Sequence, residues 1–373
     1  MVMQSKSNSL MKIVTIAGAF TAYQIGSGFA TGQEILQYFV SYGYWGILGA
    51  ALTLILFAYV SICFMSVGRH QKLNKANDVY QYYCGKHVGM FYDYFSTLFC
   101  FLTFSVMVAG AGAALNQHFG LPTIFGGSLI AILAFVTVIM GLNRIVDIIG
   151  KLGPVIAGVA IVLGLVSIFS NLGNLTPSDV TPLIESKVEE GVVLQASSNW
   201  FFAALNYVGF CMLLLGAFMA AIGSKTSNDS EVKGGGILGA MLFSGAIIVV
   251  ALGLMGQLNN VAGTQIPMLV LAADVSPIIA SAFSFIIIAG IYTTTAPLLW
   301  NVSARITPEG TPKSKLITAG LTLVGATLGL FIPFDQLLNV VYVVNGYVGI
   351  VLLGFMIAKQ LKSSVSVKAE AVS

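Results

Sequence analysis

The residues Gln24-Ile25-Gly26-Ser27-Gly28-Phe29-Ala30-Thr31-Gly32-Gln33-Glu34 form a polar, glycine-rich passage inside a long apolar run. Each Gly in a helix interior costs about 1 kcal/mol relative to Ala. A backbone group freed at membrane depth costs more unless protein, water or a ligand satisfies it. A helix broken here would offer N–H groups that suit a carboxylate and carbonyls that suit a cation. Gly26 and Gly28 would let the chain turn and a ligand approach the backbone, with Ser27 between them. The alternative is close packing through small residues, since Gly28 and Gly32 have the GxxxG spacing. The adjacent Gln24, Ser27, Thr31, Gln33 and Glu34 favour a binding site. Glu34 is the only carboxylate of this run and would line a vestibule or take a proton. Its alternative is an interfacial carboxylate reached by water, or one paired with a polar neighbour.

Two further runs carry oxygen and aromatic chemistry. Trp200 to Phe210 places Asn206, Tyr207 and Gly209 in mid-run, where they would face the first break. Phe201 and Phe202 precede them and would cap a ligand from outside as a gate; the alternative is an interfacial aromatic belt, for which Tyr207 lies too deep. Thr293, Thr294 and Thr295 stand just before Pro297. Their hydroxyls are hard oxygen ligands suited to sodium, or they bond back to the preceding turn. Asn345-Gly346 is a hinge or a pocket wall, and Asp335 a charge at a helix N-terminus. Asp147 lies near Arg144 and Lys151, as an inner-face pair would.

The elements that hold these residues are set by composition. The chain is 57% hydrophobic and 8% charged, whereas a soluble domain carries about 25% charged residues. Too little polar surface remains to cover a soluble core, so the chain is an all-α polytopic membrane protein whose first partner is the lipid bilayer. A net charge of +3 is too small to suggest a nucleic-acid partner, and none is expected. Phosphate-loop, metal-ligand and CxxC spacings are absent from the sequence, as is any clustered His/Asp/Glu or Ser/Lys constellation, so an enzyme is the weakest reading and no cofactor is expected.

At about 20 apolar residues per span, the sequence predicts ten, over 10–40, 44–67, 92–117, 122–142, 146–170, 199–222, 235–257, 277–304, 314–331 and 335–359. Sixteen of the 17 Lys and Arg then fall on the side of the N-terminus, and Lys187 alone falls opposite. That asymmetry places both termini in the cytoplasm. The halves have five spans each, 1–170 and 199–360, separated by an outer loop 171–198 and followed by a tail 361–373. The first span of each half is interrupted, so the second half enters from the opposite side. Paired interruptions of this kind point to the site of a secondary transporter.

Ile25 to Glu34, near the start of a ten-span chain of this length, resembles the YkvI-like bacterial membrane proteins. That family is similar to the amino acid–polyamine–organocation superfamily, which implies a LeuT-type fold of ten helices in 5+5 inverted repeats with helices 1 and 6 broken. The resemblance implies that the carbonyls of Gln24 and Ile25 face sodium and that the Gly26–Gly28 backbone faces substrate. Ala289-Gly290-Ile291 with its Thr run is similar to a helix 8 motif that makes Thr293 and Thr294 the sodium hydroxyls, although Tyr292 falls where that motif has Thr. Phe202 to Phe210 is loosely similar to a helix 6 motif, and Gln265 to Leu269 to an outer gating helix. The implied function is ion-coupled (Na+ or H+) alternating access for a small organic solute, an amino acid or related compound, in the bacterial inner membrane. A non-transporting receptor on the same fold is the alternative.

The topology is checked by single cysteines in a cysteine-free background. A cysteine at Ser186 reacts with an impermeant thiol reagent from outside and one at Ser227 does not; the reverse pattern rejects the assignment.

Overall fold

The computed structural model describes residues 2–370 except Gly26, Lys72, 74–76, Gly141 and Glu309. The side chains of Ser27 and Asp147 also lie outside the described residues, so the expectations placed on Gly26, Ser27 and Asp147 are not addressed by side-chain geometry. The described chain is helical, with no strand. The first predicted span is divided into α1 (Val2–Gln24), α2 (Ser27–Thr31) and α3 (Gln33–Tyr38). Then come α4 (Tyr44–His70), α5 (Asp78–Phe119), α6 (Thr123–Met140), α7 (Leu142–Ser170) and, in the connection that follows, α8 (Pro177–Glu189). The second half holds α9 (Trp200–Gly223), α10 (Asp229–Gly256), α11 (Leu258–Val261), α12 (Pro267–Val275), α13 (Pro277–Ile306), α14 (Pro312–Phe331) and α15 (Phe334–Glu370). Eight of these helices are long and apolar enough to cross a membrane. Shorter apolar stretches at Ser9–Thr21 and Val155–Ser170 occupy the places of the predicted first and fifth spans. The protein is a multi-pass membrane protein.

Helix packing follows the exchange that an inverted repeat requires. The first span of each half packs on the second span of the other, α1 on α10 and α9 on α4. The third spans, α5 and α13, pack together. The fourth span of each half packs on the third of the other, α6 on α13 and α14 on α5. The fifth span of each half likewise reaches the third of the other, α7 on α13 and α15 on α5.

Three local features differ from the sequence expectation. α5 begins well before the predicted third span and turns at Gly85 (φ 77°), so that residues expected to connect the second and third spans belong to a bent helix. α15 continues to Glu370, through most of the expected tail. The third correction concerns helix 6: a break was expected, yet α9 runs unbroken from Trp200 to Gly223. Gly209 has a packing role instead. A Cβ built on it would stand 2.2 Å from the Gly346 carbonyl oxygen, and one on Gly349 would stand 1.9 Å from the Gly209 carbonyl oxygen. Asn206 is turned sideways, donating from Nδ2 to the Val343 carbonyl (2.9 Å). The polar residues that suggested a break in span 6 thus join α9 to α15, as small-residue packing does in membranes.

Gly209→Ala is therefore expected to lower stability by about 1–3 kcal/mol through forced separation of α9 and α15. Gly354→Ala, on the same α15 but with nothing within 4 Å of its Cβ position, leaves stability unchanged within about 0.5 kcal/mol. Equal melting temperatures for the two variants would reject the close-packing account.

Candidate functional site

Span 1 is interrupted twice. α1 ends at Gln24, and the Ile25 amide still donates to the Thr21 carbonyl (2.9 Å). α2 starts at Ser27 and lasts five residues. Gly32 then takes φ +82°, in the left-handed region that Gly occupies without penalty, and α3 begins. A Cβ on Gly32 would also meet Met268 Cγ at 2.8 Å, so α12 lies directly over this second turn. Thr31 Oγ1 donates to the Gly28 carbonyl (2.9 Å) and accepts from the Gln33 amide (3.4 Å), tying the turn to its own helix.

Glu34 folds back over this broken backbone. A Cβ on Gly28 would lie 1.6 Å from Glu34 Oε1, so the carboxyl occupies the space that any side chain at 28 would need. Glu34 is 6% exposed. Its Oε2 accepts from the Tyr207 hydroxyl at 3.3 Å. Of the two alternatives weighed for Glu34, the interfacial one does not match this burial, and the pairing with a polar neighbour does. Tyr207 is fully buried in an aromatic box, with ring centroids 5.3 Å from Tyr38, 5.0 Å from Phe39, 6.2 Å from Phe57, 5.1 Å from Phe210 and 6.3 Å from Phe243.

The rest of α3 is fastened to the second half. Tyr38 donates to Asn206 Oδ1 (3.2 Å). Gln37 Nε2 donates to the Asp335 carbonyl (2.9 Å), and its Oε1 accepts from Asn339 Nδ2 (2.9 Å). Asp335 does open α15, as expected. Tyr38 carries no obvious motif, but it stands four residues after Glu34. On a helix that spacing puts both side chains on one face, and it is the signal by which Tyr38 joins the site. Two buried atoms nearby have no protein partner among the described residues, the donor Gln24 Nε2 and the acceptor Gln33 Oε1.

The other expected residues fall in different places. Thr293 and Thr294 sit on α13, which packs against α2. Both hydroxyls donate to the Gly290 carbonyl, at 2.8 and 3.1 Å, within a helix that stays continuous through Pro297. This is the back-bonded arrangement; it leaves oxygen lone pairs free and uses the hydrogens. Phe201 and Phe202 lie in the first turn of α9, 43% and 45% exposed. Among the described residues their rings touch Trp200 and each other, and neither meets the box around Tyr207. Trp200 stacks on Trp45 at 6.0 Å, so these rings form an aromatic layer at one end of the bundle. Asn345 is buried on α15, bonded to the Val341 carbonyl.

No family model matches the chain. The chain is 23% identical to the uncharacterized membrane protein YkvI of Bacillus subtilis (strain 168) over 345 residues, covering 92% of this chain and 95% of the relative. It is also 23% identical to the protein YyaD of the same organism, covering 76% of this chain and 78% of that one. Its fold is similar to MhsT in complex with L-phenylalanine (TM-score 0.60, 15% identity, 92% of this chain and 87% of MhsT). It is similar to Mhp1, a nucleobase-cation-symport-1 family transporter (TM-score 0.54, 14% identity, 87% and 74%). A Na+-coupled sialic acid symporter matches at TM-score 0.53, 14% identity, 87% and 72%. The chain is similar to YkvI over nearly its whole length, and its fold is of the LeuT type.

The contact between Glu34 and Gly28 is open to a double-mutant cycle. Gly28→Ala expels the carboxyl and lowers stability by about 1–3 kcal/mol. In a Glu34→Ala background the same change costs less by at least about 0.5 kcal/mol, because the clashing group is gone. Strictly additive losses would disprove the contact.

Proposed function

We propose that the protein is a secondary active transporter of a small organic solute, an amino acid or related compound, working by ion-coupled alternating access. The observation that carries this reading is the double interruption of span 1 in the apolar interior, with Glu34 laid over Gly28 and bonded to Tyr207 of the other half. Irregular backbone at membrane depth is tolerated where it is enclosed by protein or lines a cavity, and at a repeat interface it is where transporters hold solute and ion. Likeness to three transporters, one with L-phenylalanine bound and one Na+-coupled, supports the reading.

The proposed solute site centres on the backbone of Gly26, Ser27 and Gly28, with Tyr207 as its wall. Asn206 and Gly209 act behind that wall, holding α9 to α15. For sodium, the carbonyls of Gln24 and Ile25 with the hydroxyls of Thr293 and Thr294 form the candidate set; for a proton, Glu34 is the candidate. Spans 1, 2, 6 and 7 would rock against spans 3, 4, 8 and 9, with span 10 following span 6 because their backbones are in contact at Gly209 and Gly346.

Counterflow of labelled L-phenylalanine and a panel of other amino acids in proteoliposomes tests the reading. Exchange of label is the expected result. Saturable binding with no exchange would mean a receptor. Thr293→Val and Thr294→Val remove one hydroxyl each at nearly constant volume. If sodium is the ion, each variant stays folded and loses the sodium dependence of exchange; unchanged sodium dependence removes both residues from the site.

A further inference from the structure

Among the described residues, the groups around buried Glu34 carry no positive charge to neutralise it as an anion. The titratable side chains facing it are Tyr38 on α3, Tyr207 and Cys211 on α9, and Tyr342 on α15. α2 has none. The turn after α3 contributes Tyr42, whose hydroxyl is bonded to the Ser197 carbonyl. α10 has its only charged residues, Asp229, Glu231 and Lys233, near its N-terminal end. Asp335 of α15 gives α3 its backbone carbonyl, to Gln37. No ammonium, guanidinium or imidazole is in this set. Every ion pair among the described residues lies elsewhere: Lys12–Glu231, Arg69–Asp229, His70–Asp229, Lys187–Glu190 and Arg305–Asp93.

Among the described residues, an anionic Glu34 would have the Tyr207 hydroxyl as donor and no counter-charge, and it is 6% exposed. Isolated charge in such surroundings is avoided by neutralisation. Ionisable groups kept inside spans mark ion or proton pathways. Glu34 also lies at the break of span 1, where a local shift of the short α3 would free it, since its carboxyl bridges the backbone at Gly28 and α9 at Tyr207.

We infer that Glu34 holds a proton while the site is closed, and that this proton is the ion the transport cycle carries. The inference rests on the transporter reading above. When α3 draws away from Gly28 and Tyr207, the carboxyl meets water, its O–H bond breaks and the proton passes to solvent on that side. The carboxylate regains one proton before the contact closes again. Nothing else is bonded or released, and the proton gradient is the driving force.

Infrared difference spectroscopy on the full chain in lipid nanodiscs, in sodium-free buffer at neutral pH, uses the proton itself as probe. The wild type is expected to show the carbonyl-stretch band of a protonated carboxyl group, and Glu34→Gln to lack it. Glu231→Gln, whose target is paired with Lys12, keeps the band. Tyr207→Phe keeps the ring and moves the band, which guards against a Glu34 variant that fails to fold. A wild type without the band, or a band that survives Glu34→Gln, overturns the inference. So does sodium-driven L-phenylalanine uptake that Glu34→Gln leaves intact. In that last case the transporter reading stands while the proton is rejected; a Glu34 band in a protein that exchanges no solute rejects transport and leaves a buried acid.

Discussion

The buried carboxyl of Glu34 is the constraint around which the first half of the molecule is arranged. It reaches its place only because residue 28 has no side chain, and it stays there against one hydroxyl, that of Tyr207. Burying a carboxyl with few polar partners is costly whether it is charged or protonated. Such a group persists where function requires it, and its surroundings must then hold it rigidly. The aromatic box around Tyr207 and the bonds of Gln37 and Tyr38 to the second half supply that rigidity.

The two halves meet through unlike contacts despite their exchanged packing. In the first half the interruption is real, and α2 and α3 are short segments pinned by neighbours. In the second half the corresponding span is a straight helix whose polar and small residues face α15. One broken helix against one intact helix puts a soft element beside a stiff one. The soft element carries the ionisable group, and the stiff one carries the tyrosine that receives it. A local shift of α3 would therefore act on the Glu34–Tyr207 contact.

The glycines show why a residue type does not name its role. Gly28 makes room for a carboxyl, Gly32 takes a positive φ beneath α12, and Gly209 lets two helices touch backbone to backbone. In the sequence, Gly26 and Gly28 read as a site, and Gly28 with Gly32 as a packing pair. The structure assigns Gly28 to a polar contact and Gly32 to a turn, while the small-residue packing considered there occurs in span 6 instead. Helix propensity is similar at all three positions; what differs is the element that approaches each one.

Sequence by itself determined the membrane class, the order and approximate limits of the spans and the interruption of the first. These follow from hydropathy and from glycines concentrated among polar residues, which are local quantities. Glu34 was also legible, as a lone carboxylate in an apolar run. Its partner was not, because Tyr207 lies 173 positions away and no periodicity relates the two. The continuity of helix 6 was likewise decided by tertiary structure: Asn206 and Gly209 read as a break until α15 supplies a carbonyl to one and a backbone surface to the other. Whether a polar residue in a span breaks the helix or joins it to another depends on what stands beside it, and only the packed chain contains that information.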